Sequence, residues 1–214
     1  MNISGTNKYL AFVILIGGKS KRFGKDKGLF EINGKPIISH QIEQLSKFQH
    51  DIFVVANSTS QVQNYIDIID IKNITGFIVD EDIIDIRAPM VGIYSAFKEL
   101  KALGYNFGFT LSCDNPFLKS EVIQLLIDEI DTYNCVIPKW KQNYLEPLFA
   151  IYPIEKALKS AKRSIKRKNY KLTSLLDKDW RINYLSIEER IKPLDMNFKS
   201  FFNLNKPSDL DYIE

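Results

Sequence analysis

The sequence YLAFVILIGGKSKRFGKDKG, residues 9–28, is an apolar run followed by a glycine-rich, basic loop. A continuous apolar run of this length is typical of a β-strand that is covered on both faces. Glycines let backbone N–H groups turn toward a ligand, and Lys and Arg neutralise phosphate oxygens. The four glycines, four lysines and one arginine of residues 17–28 therefore predict a cradle for a triphosphate. An ordinary solvated loop between a strand and a helix is the alternative.

Length and composition predict one globular α/β domain spanning residues 1–214, because 45% of the 214 residues are apolar and 26% are charged. A formal net charge of +3 gives no support for a nucleic-acid partner. The two cysteines, Cys113 and Cys135, lack metal-ligand spacing and are predicted to be reduced core residues, as is usual in the cytoplasm. Residues 1–8 are polar and no apolar run approaches bilayer length, so neither secretion nor a membrane partner is predicted.

Strand-like and helix-like segments alternate along the first half of the chain. This repeat predicts a mostly parallel central sheet with right-handed crossovers and helices on both faces, a three-layer Rossmann-like fold. The second half is more mixed. Strands are predicted at 9–16, 52–56, 76–79, 107–112, 133–138, 146–152 and 180–185, and helices at 36–45, 61–69, 90–103, 120–130, 154–166 and 173–176.

Three polar clusters follow predicted strands, and ligands of such sheets bind beyond the carboxyl ends of the strands. The basic loop follows the first strand, Asn57 follows the second and Asp114 follows the fourth. Asp114, followed by Asn115-Pro116, is either a turn or capping aspartate or a ligand for Mg²⁺, which takes one or two carboxylates plus substrate phosphates. Its position on the same sheet edge as the basic loop favours the metal ligand.

These residues carry a resemblance to a known family. The opening loop resembles the signature of nucleotidyltransferases, and the whole chain is similar to the molybdenum cofactor guanylyltransferases. The chain departs from the family signature at two apolar positions, where Ile16 replaces the usual alanine and Phe23 replaces methionine. We expect these two side chains to reshape the base pocket. The further matching segments, in chain order, are Asn57, Ala88-Pro89-Met90-Val91-Gly92, Cys113-Asp114-Asn115-Pro116, Glu146-Pro147-Leu148-Phe149-Ala150 and Phe202-Asn203-Leu204-Asn205-Lys206-Pro207-Ser208-Asp209-Leu210.

The resemblance implies a nucleotidyltransferase fold and a role for each site residue. Arg22, Lys27 and Asp114 are the expected catalytic residues, with Asp114 holding Mg²⁺ and Asn203 or Asn205 nearby. An acid after the third strand also contacts the nucleotide; Asp80 is preferred over Asp82 because it directly ends the strand. The expected nucleotide-binding residues are Leu15, Ile16, Gly17, Gly18, Lys27, Asn57, Asp80 and Asp114.

The resemblance further implies that GMP is transferred from GTP to the phosphate of molybdopterin cofactor, with release of pyrophosphate. It also implies transient contact with proteins that supply the cofactor or accept the product. A related transferase that uses CTP or another acceptor, such as a cobamide or phospholactate precursor, is an alternative, as is an adaptor that has lost chemistry.

Two further features have open interpretations. The basic stretch from Lys162 to Lys171 either guides the anionic acceptor to the site or forms a solvated helix face. Trp140 and Tyr144 either shape the acceptor pocket or pack in the core and at its rim.

Overall fold

The computed structural model describes residues 10–17, 26–80, 88–204 and 209. Their centre is a seven-stranded sheet in the order β5-β4-β1-β6-β8-β7-β9. A separate two-stranded hairpin pairs β2 with β3. The strands are β1 Leu10–Leu15, β2 Glu31–Ile32, β3 Lys35–Pro36, β4 Asp51–Ala56, β5 Gly76–Val79, β6 Phe107–Ser112, β7 Cys135–Lys139, β8 Phe149–Pro153 and β9 Ile182–Ser186.

The large sheet is mostly parallel, as predicted. The first four strands in the order, β5, β4, β1 and β6, are parallel to one another. Strand β8 is antiparallel to both of its neighbours, β6 and β7, while β9 is again parallel to β7. The reversal arises because β8 follows β7 through a hairpin instead of a helical crossover.

Helices cover both faces of the sheet and form two hydrophobic cores. One core contains apolar residues from α1, α2 and α4, and the other contains those from α3 and α5. Strand β1 lies between them with all six residues buried, which accounts for its unbroken apolar sequence. The helices are α1 Ile37–Leu45, α2 Thr59–Ile66, α3 Pro89–Ala102, α4 Ser120–Asp128 and α5 Ile154–Lys166.

The strand register positions the candidate site. Leu15, the last residue of β1, pairs with Val55 of β4 on one side and with Ser112 of β6 on the other. The three strands therefore end at nearly the same level, and the loops that follow them share one edge. This confirms the predicted convergence of the polar clusters after β1, β4 and β6.

Several predicted boundaries need correction. The strand predicted at 146–152 begins at Phe149, because Pro147 precedes the ladder and the Phe149 N–H instead turns back to Glu146 O. The helix predicted at 61–69 begins at Thr59, where the Ser58 side chain caps it. The strands predicted at 133–138 and 180–185 lie one or two residues further on, and the helix predicted at 120–130 ends at Asp128 in a 3-10 turn. The π-helix Ile187–Ile191 was not predicted.

Two smaller features complete the fold, and the second confirms the prediction for the cysteines. Asn33 and Gly34 both have positive φ, which makes the two-residue turn of the β2–β3 hairpin. Both cysteines are buried and free. Within residues 10–17, 26–80 and 88–204, every helix is too short or too polar to span a lipid bilayer.

We expect Gly108→Ala to lower the free energy of unfolding by about 1–3 kcal/mol, because overpacking a filled core displaces its neighbours. A Cβ at Gly108 in β6 would lie 2.4 Å from Cε1 of the buried Phe97 of α3. Gly76→Ala is the matched control in β5, where a Cβ would be 3.4 Å from Phe53. Urea unfolding of both variants tests this, and equal stabilities would show that the α3–β6 contact is not tight.

Candidate active site

The ends of β1, β4 and β6 are joined by backbone hydrogen bonds. The Ile16 N–H donates to Val55 O at 3.0 Å, and the Cys113 N–H donates to Leu15 O at 3.1 Å. The Ile16 side chain is 1% exposed and packs in the core. Its predicted influence on a base pocket is therefore not supported by its placement. Gly17, the next residue, is exposed, so the chain reaches the surface there.

Lys27 and Asp114 meet across this edge of the sheet. Lys27 Nζ lies 3.3 Å from Asp114 Oδ2, although the two residues are 87 positions apart. Both side chains are about one-fifth exposed, at 21% and 20%. Asp114 Oδ1 is buried and has no hydrogen-bond partner among the described residues. The two predicted catalytic residues thus form an ion pair that leaves one carboxylate oxygen available.

A network from α2 holds the backbone just before Lys27. Tyr65, which is fully buried, donates its hydroxyl to Asp26 Oδ1 at 2.7 Å. Gln61 Nε2 donates to the other oxygen of Asp26 and to Ile16 O, while Gln61 Oε1 accepts the Asn57 N–H. Burial is the main cause that raises the pKa of Tyr65, so its hydroxyl remains a donor. Gln61 therefore links the loops after β1 and β4 to Asp26, which directly precedes Lys27.

Gln41 of α1 supports the turn that carries Asp114. The side chain is 0% exposed, and its amide nitrogen donates to Ser112 O at 2.8 Å and to Asn115 O at 2.9 Å. One amide therefore holds the carbonyls on both sides of Cys113-Asp114. This role of Gln41 was not predicted from the sequence, although a polar side chain within the apolar stripe of α1 was a usable signal.

The residues predicted to contact the base or ribose lie after β4 and β5. Asn57 is half-buried, and a Cβ at Gly17 would be 4.0 Å from its Cβ, so these two residues are neighbours. Asp80 is joined to the end of β4 by its N–H, which donates to Ala56 O. A Cβ at Gly92 would lie 3.0 Å from Leu15 and 3.4 Å from Asp80 Oδ1, so this glycine lets α3 pack against both.

A cavity of about 170 Å³ opens beside Asp114 on the β8 side. Two predicted site residues, Asp114 and Asn203, line it, and the Leu204 N–H donates to Asp114 O. The remaining lining residues are Ser112, Asn115, Glu146, Pro147, Leu148, Phe149 and Leu172. Two larger cavities, of about 670 and 470 Å³, lie beside α4 and contain none of the predicted site residues, so we assign the chemistry to the smaller one.

Helix α5 begins where β8 ends, at the opposite edge of the sheet, and its basic stretch leads back to the candidate site. Pro153 pairs with Phe107 at the start of β6, so the C-terminus of α5 points toward the edge that holds Asp114. Leu172, which follows Lys171, lines the 170 Å³ cavity. Arg163 pairs with Asp177 at 2.9 Å. Guidance of an anionic acceptor by this stretch remains a prediction.

Some predicted site residues lie outside the described part of the chain. These are Gly18, Arg22, Phe23, Asp82 and Asn205. The nucleotide and metal roles assigned to all the site residues stay predictions, while the structure brings Leu15, Ile16, Gly17, Lys27 and Asp114 to one edge.

We expect Gln41→Leu to lower the free energy of unfolding by about 1–3 kcal/mol for each carbonyl that it leaves unsatisfied, because a buried acceptor without a donor carries its full desolvation cost. Gln44→Leu, on the next turn of the same helix, is the control. It removes an acceptor from the partly exposed Ser120 hydroxyl and from the Lys47 ammonium on the exposed surface, where water substitutes. Denaturant unfolding measures both variants, and equal losses would mean that Gln41 adds nothing specific to the Asp114 turn.

Comparisons with known proteins place this arrangement in a family. A family model described as "MobA-like NTP transferase domain" matches residues 12–181. A protein of Pyrococcus horikoshii named "Probable molybdenum cofactor guanylyltransferase" is 35% identical over 208 residues, covering 95% of this chain and 98% of its own. A "Molybdenum cofactor guanylyltransferase" of Desulfosudis oleivorans is 27% identical, covering 94% and 93%.

A solved structure shows the same fold. The crystal structure of "Molybdopterin-guanine dinucleotide biosynthesis protein A" from Archaeoglobus fulgidus has a TM-score of 0.76 and 27% identity, covering 95% of this chain and 96% of that one. Since the family model also spans well over half of the sequence, the chain belongs to the family of MobA-like NTP transferase domains.

Proposed function

We propose that this protein transfers GMP from GTP to the terminal phosphate of molybdopterin cofactor and releases pyrophosphate. The observation that carries the proposal is the Lys27–Asp114 pair, which sets a cation and a carboxylate together at the edge where the β1 loop ends. The names of relatives that align over nearly the whole chain support the same reaction.

In the proposed reaction, a phosphate oxygen of the acceptor attacks the α-phosphorus of GTP in line. The new P–O bond forms as the bond to the β-phosphate bridging oxygen breaks, and pyrophosphate leaves with that oxygen. The nucleophile is already an anion, so the reaction requires no general base. The protein contributes positioning and neutralisation of charge.

Each residue contributes to one of those two tasks. The backbone of Leu15, Ile16 and Gly17 positions the nucleotide, and Asn57 and Asp80 contact its base or ribose. Lys27 neutralises phosphate charge, together with Arg22 and the Gly18 backbone of the same loop. In the absence of nucleotide, Lys27 compensates the Asp114 carboxylate instead.

Asp114 fits a role as the carboxylate that holds Mg²⁺. Its Oδ1 is buried without a hydrogen-bond partner in the described part of the protein, so a metal ligand's lone pairs are available there. Asn203 lines the same cavity and offers a further oxygen. A bound Mg²⁺ supplies charge neutralisation on the phosphate oxygens.

The experiment that tests the proposal is incubation of the protein with Mg²⁺, molybdopterin cofactor and GTP or CTP, followed by mass analysis of the products. We expect the guanine dinucleotide and pyrophosphate with GTP only. Formation of a cytosine dinucleotide would show that the nucleotide substrate is CTP. Nucleotide binding without any product, with this acceptor or with other phosphorylated acceptors, would favour the adaptor.

We expect Asp114→Asn and Lys27→Ala each to lower the rate of pyrophosphate release roughly 10²–10³-fold, because each removes a preorganised charge from the reacting phosphates. Lys35→Ala is the control, since it breaks only the ion pair with Glu43 on the β3–α1 surface. Circular dichroism confirms folding of the variants. Near-normal rates in folded Asp114→Asn would remove this residue from the mechanism.

A further inference from the structure

Glu146 is the one carboxylate besides Asp114 among the described residues that line the 170 Å³ cavity. It precedes β8, and its N–H donates to Pro138 O, which fixes the backbone beside the sheet. One carboxylate oxygen, Oε1, accepts the indole N–H of Trp140 at 2.6 Å. The Glu146 side chain is therefore held in place before any ligand arrives.

Trp140 is itself anchored by aromatic packing. Its ring contacts Phe198 at 5.1 Å and Phe201 at 5.8 Å between centroids, both edge-on. Phe201 in turn packs on Phe149 at the start of β8. Such contacts restrict the rotamers of the indole, so the hydrogen bond to Glu146 has a defined direction. The sequence left Trp140 between a pocket role and a packing role. The structure shows the packing, and Trp140 is linked to the cavity through its hydrogen bond to Glu146.

The carboxylate is poorly compensated. Burial raises the pKa of Glu146, the Trp140 hydrogen bond offsets part of that effect, and no cation of the described residues contributes. A desolvated carboxylate without a cationic partner is unfavourable for the ligand-free protein. Such a carboxylate is typical of a binding site, where a bound ligand supplies the missing hydrogen-bond donors.

The walls of the cavity indicate which kind of ligand supplies hydrogen-bond donors to Glu146. Pro147, Leu148, Phe149 and Leu172 give the cavity apolar walls. The polar lining residues besides Glu146 are Ser112, Asp114, Asn115 and Asn203. Apolar walls of this kind suit the faces of a flat heterocycle. A carboxylate recognises a heterocycle through adjacent N–H donors, as a 2-amino-4-oxopyrimidine edge presents them.

We propose that Glu146, held by Trp140, is the specificity-determining residue for the acceptor and binds the N–H edge of its heterocycle while the acceptor phosphate lies toward Asp114. This inference rests on the proposed function, because it takes the pterin of molybdopterin as that heterocycle. Glu146 does not touch the reacting atoms, so its contribution is to acceptor binding.

The test is Glu146→Gln, which keeps an oxygen for the Trp140 N–H and removes the charge. We expect the KM for molybdopterin cofactor to rise roughly 10- to 100-fold, as for loss of a hydrogen bond to a charged group. The KM for GTP should stay within about twofold, because the nucleotide binds beyond β1 and β4. The ligand-free variant should melt at the same temperature or higher, since an uncompensated charge is gone.

Glu188→Gln is the matched control. Glu188 is also half-buried, accepts the Lys141 N–H from the same β7–β8 hairpin and has a buried oxygen without a partner among the described residues, but it does not line the cavity. We expect its acceptor KM to equal that of the wild type. An unchanged acceptor KM in Glu146→Gln, or a fall in its melting temperature with both KM values raised, would overturn the proposal in favour of a structural role.

A binding experiment separates this inference from the proposed function. Calorimetry with pterin and with lumazine, which has a carbonyl in place of the 2-amino group, requires no turnover. We expect wild-type protein to bind pterin more tightly than lumazine and Glu146→Gln to lose that preference. Equal binding of the two compounds to the wild type would refute the role of Glu146, whereas preference for pterin without product formation would refute only the proposed reaction.

Discussion

The contact between Lys27 and Asp114 is the constraint on which the site depends. The 3.3 Å contact between Lys27 Nζ and Asp114 Oδ2 joins the loop after β1 to the loop after β6. It is made possible by the sheet register, in which Leu15 lies opposite Ser112, so the two loops leave adjacent strands at the same level. The parallel β4-β1-β6 arrangement is therefore the part of the fold that the proposed chemistry needs.

Buried amides, and not only apolar packing, maintain this edge. Gln41 holds the carbonyls around Asp114, and Gln61 joins the ends of β1 and β4 to Asp26. Each amide satisfies backbone groups that strand pairing leaves open at the sheet edge. Hydrogen bonds from α1 and α2 thus position the site, although these helices carry none of the predicted catalytic residues. Glu146 contrasts with them because burial raises the pKa of its carboxylate and the Trp140 hydrogen bond offsets only part of that effect.

The sequence predicted element bounds best where the apolar periodicity of a segment and the turn residues on either side of it indicate the same bounds. The bounds of β6, at Phe107–Ser112, and of α5, at Ile154–Lys166, were predicted to the residue, because apolar periodicity and flanking turn residues coincide there. The π-helix Ile187–Ile191 was missed because its pattern is too short to distinguish from a loop.

The candidate site was predictable only in part, for a physical reason. Residues at strand ends, such as Asp114, are visible because topology brings them to one edge. The supporting roles of Gln41, Gln61 and Tyr65 depend on which backbone group each side chain reaches across the core, and one sequence gives no such distances. Glu146 was named only as part of a matching segment, since its pairing with Trp140 follows from a hairpin whose register the sequence leaves open.

The most direct test of the central claim is the affinity for GTP with and without Mg²⁺, measured by calorimetry in the wild type and in Asp114→Asn. We predict that Mg²⁺ strengthens GTP binding to the wild type and has no effect on the variant, because we propose that Asp114 holds the metal. Equal strengthening in both proteins would contradict it.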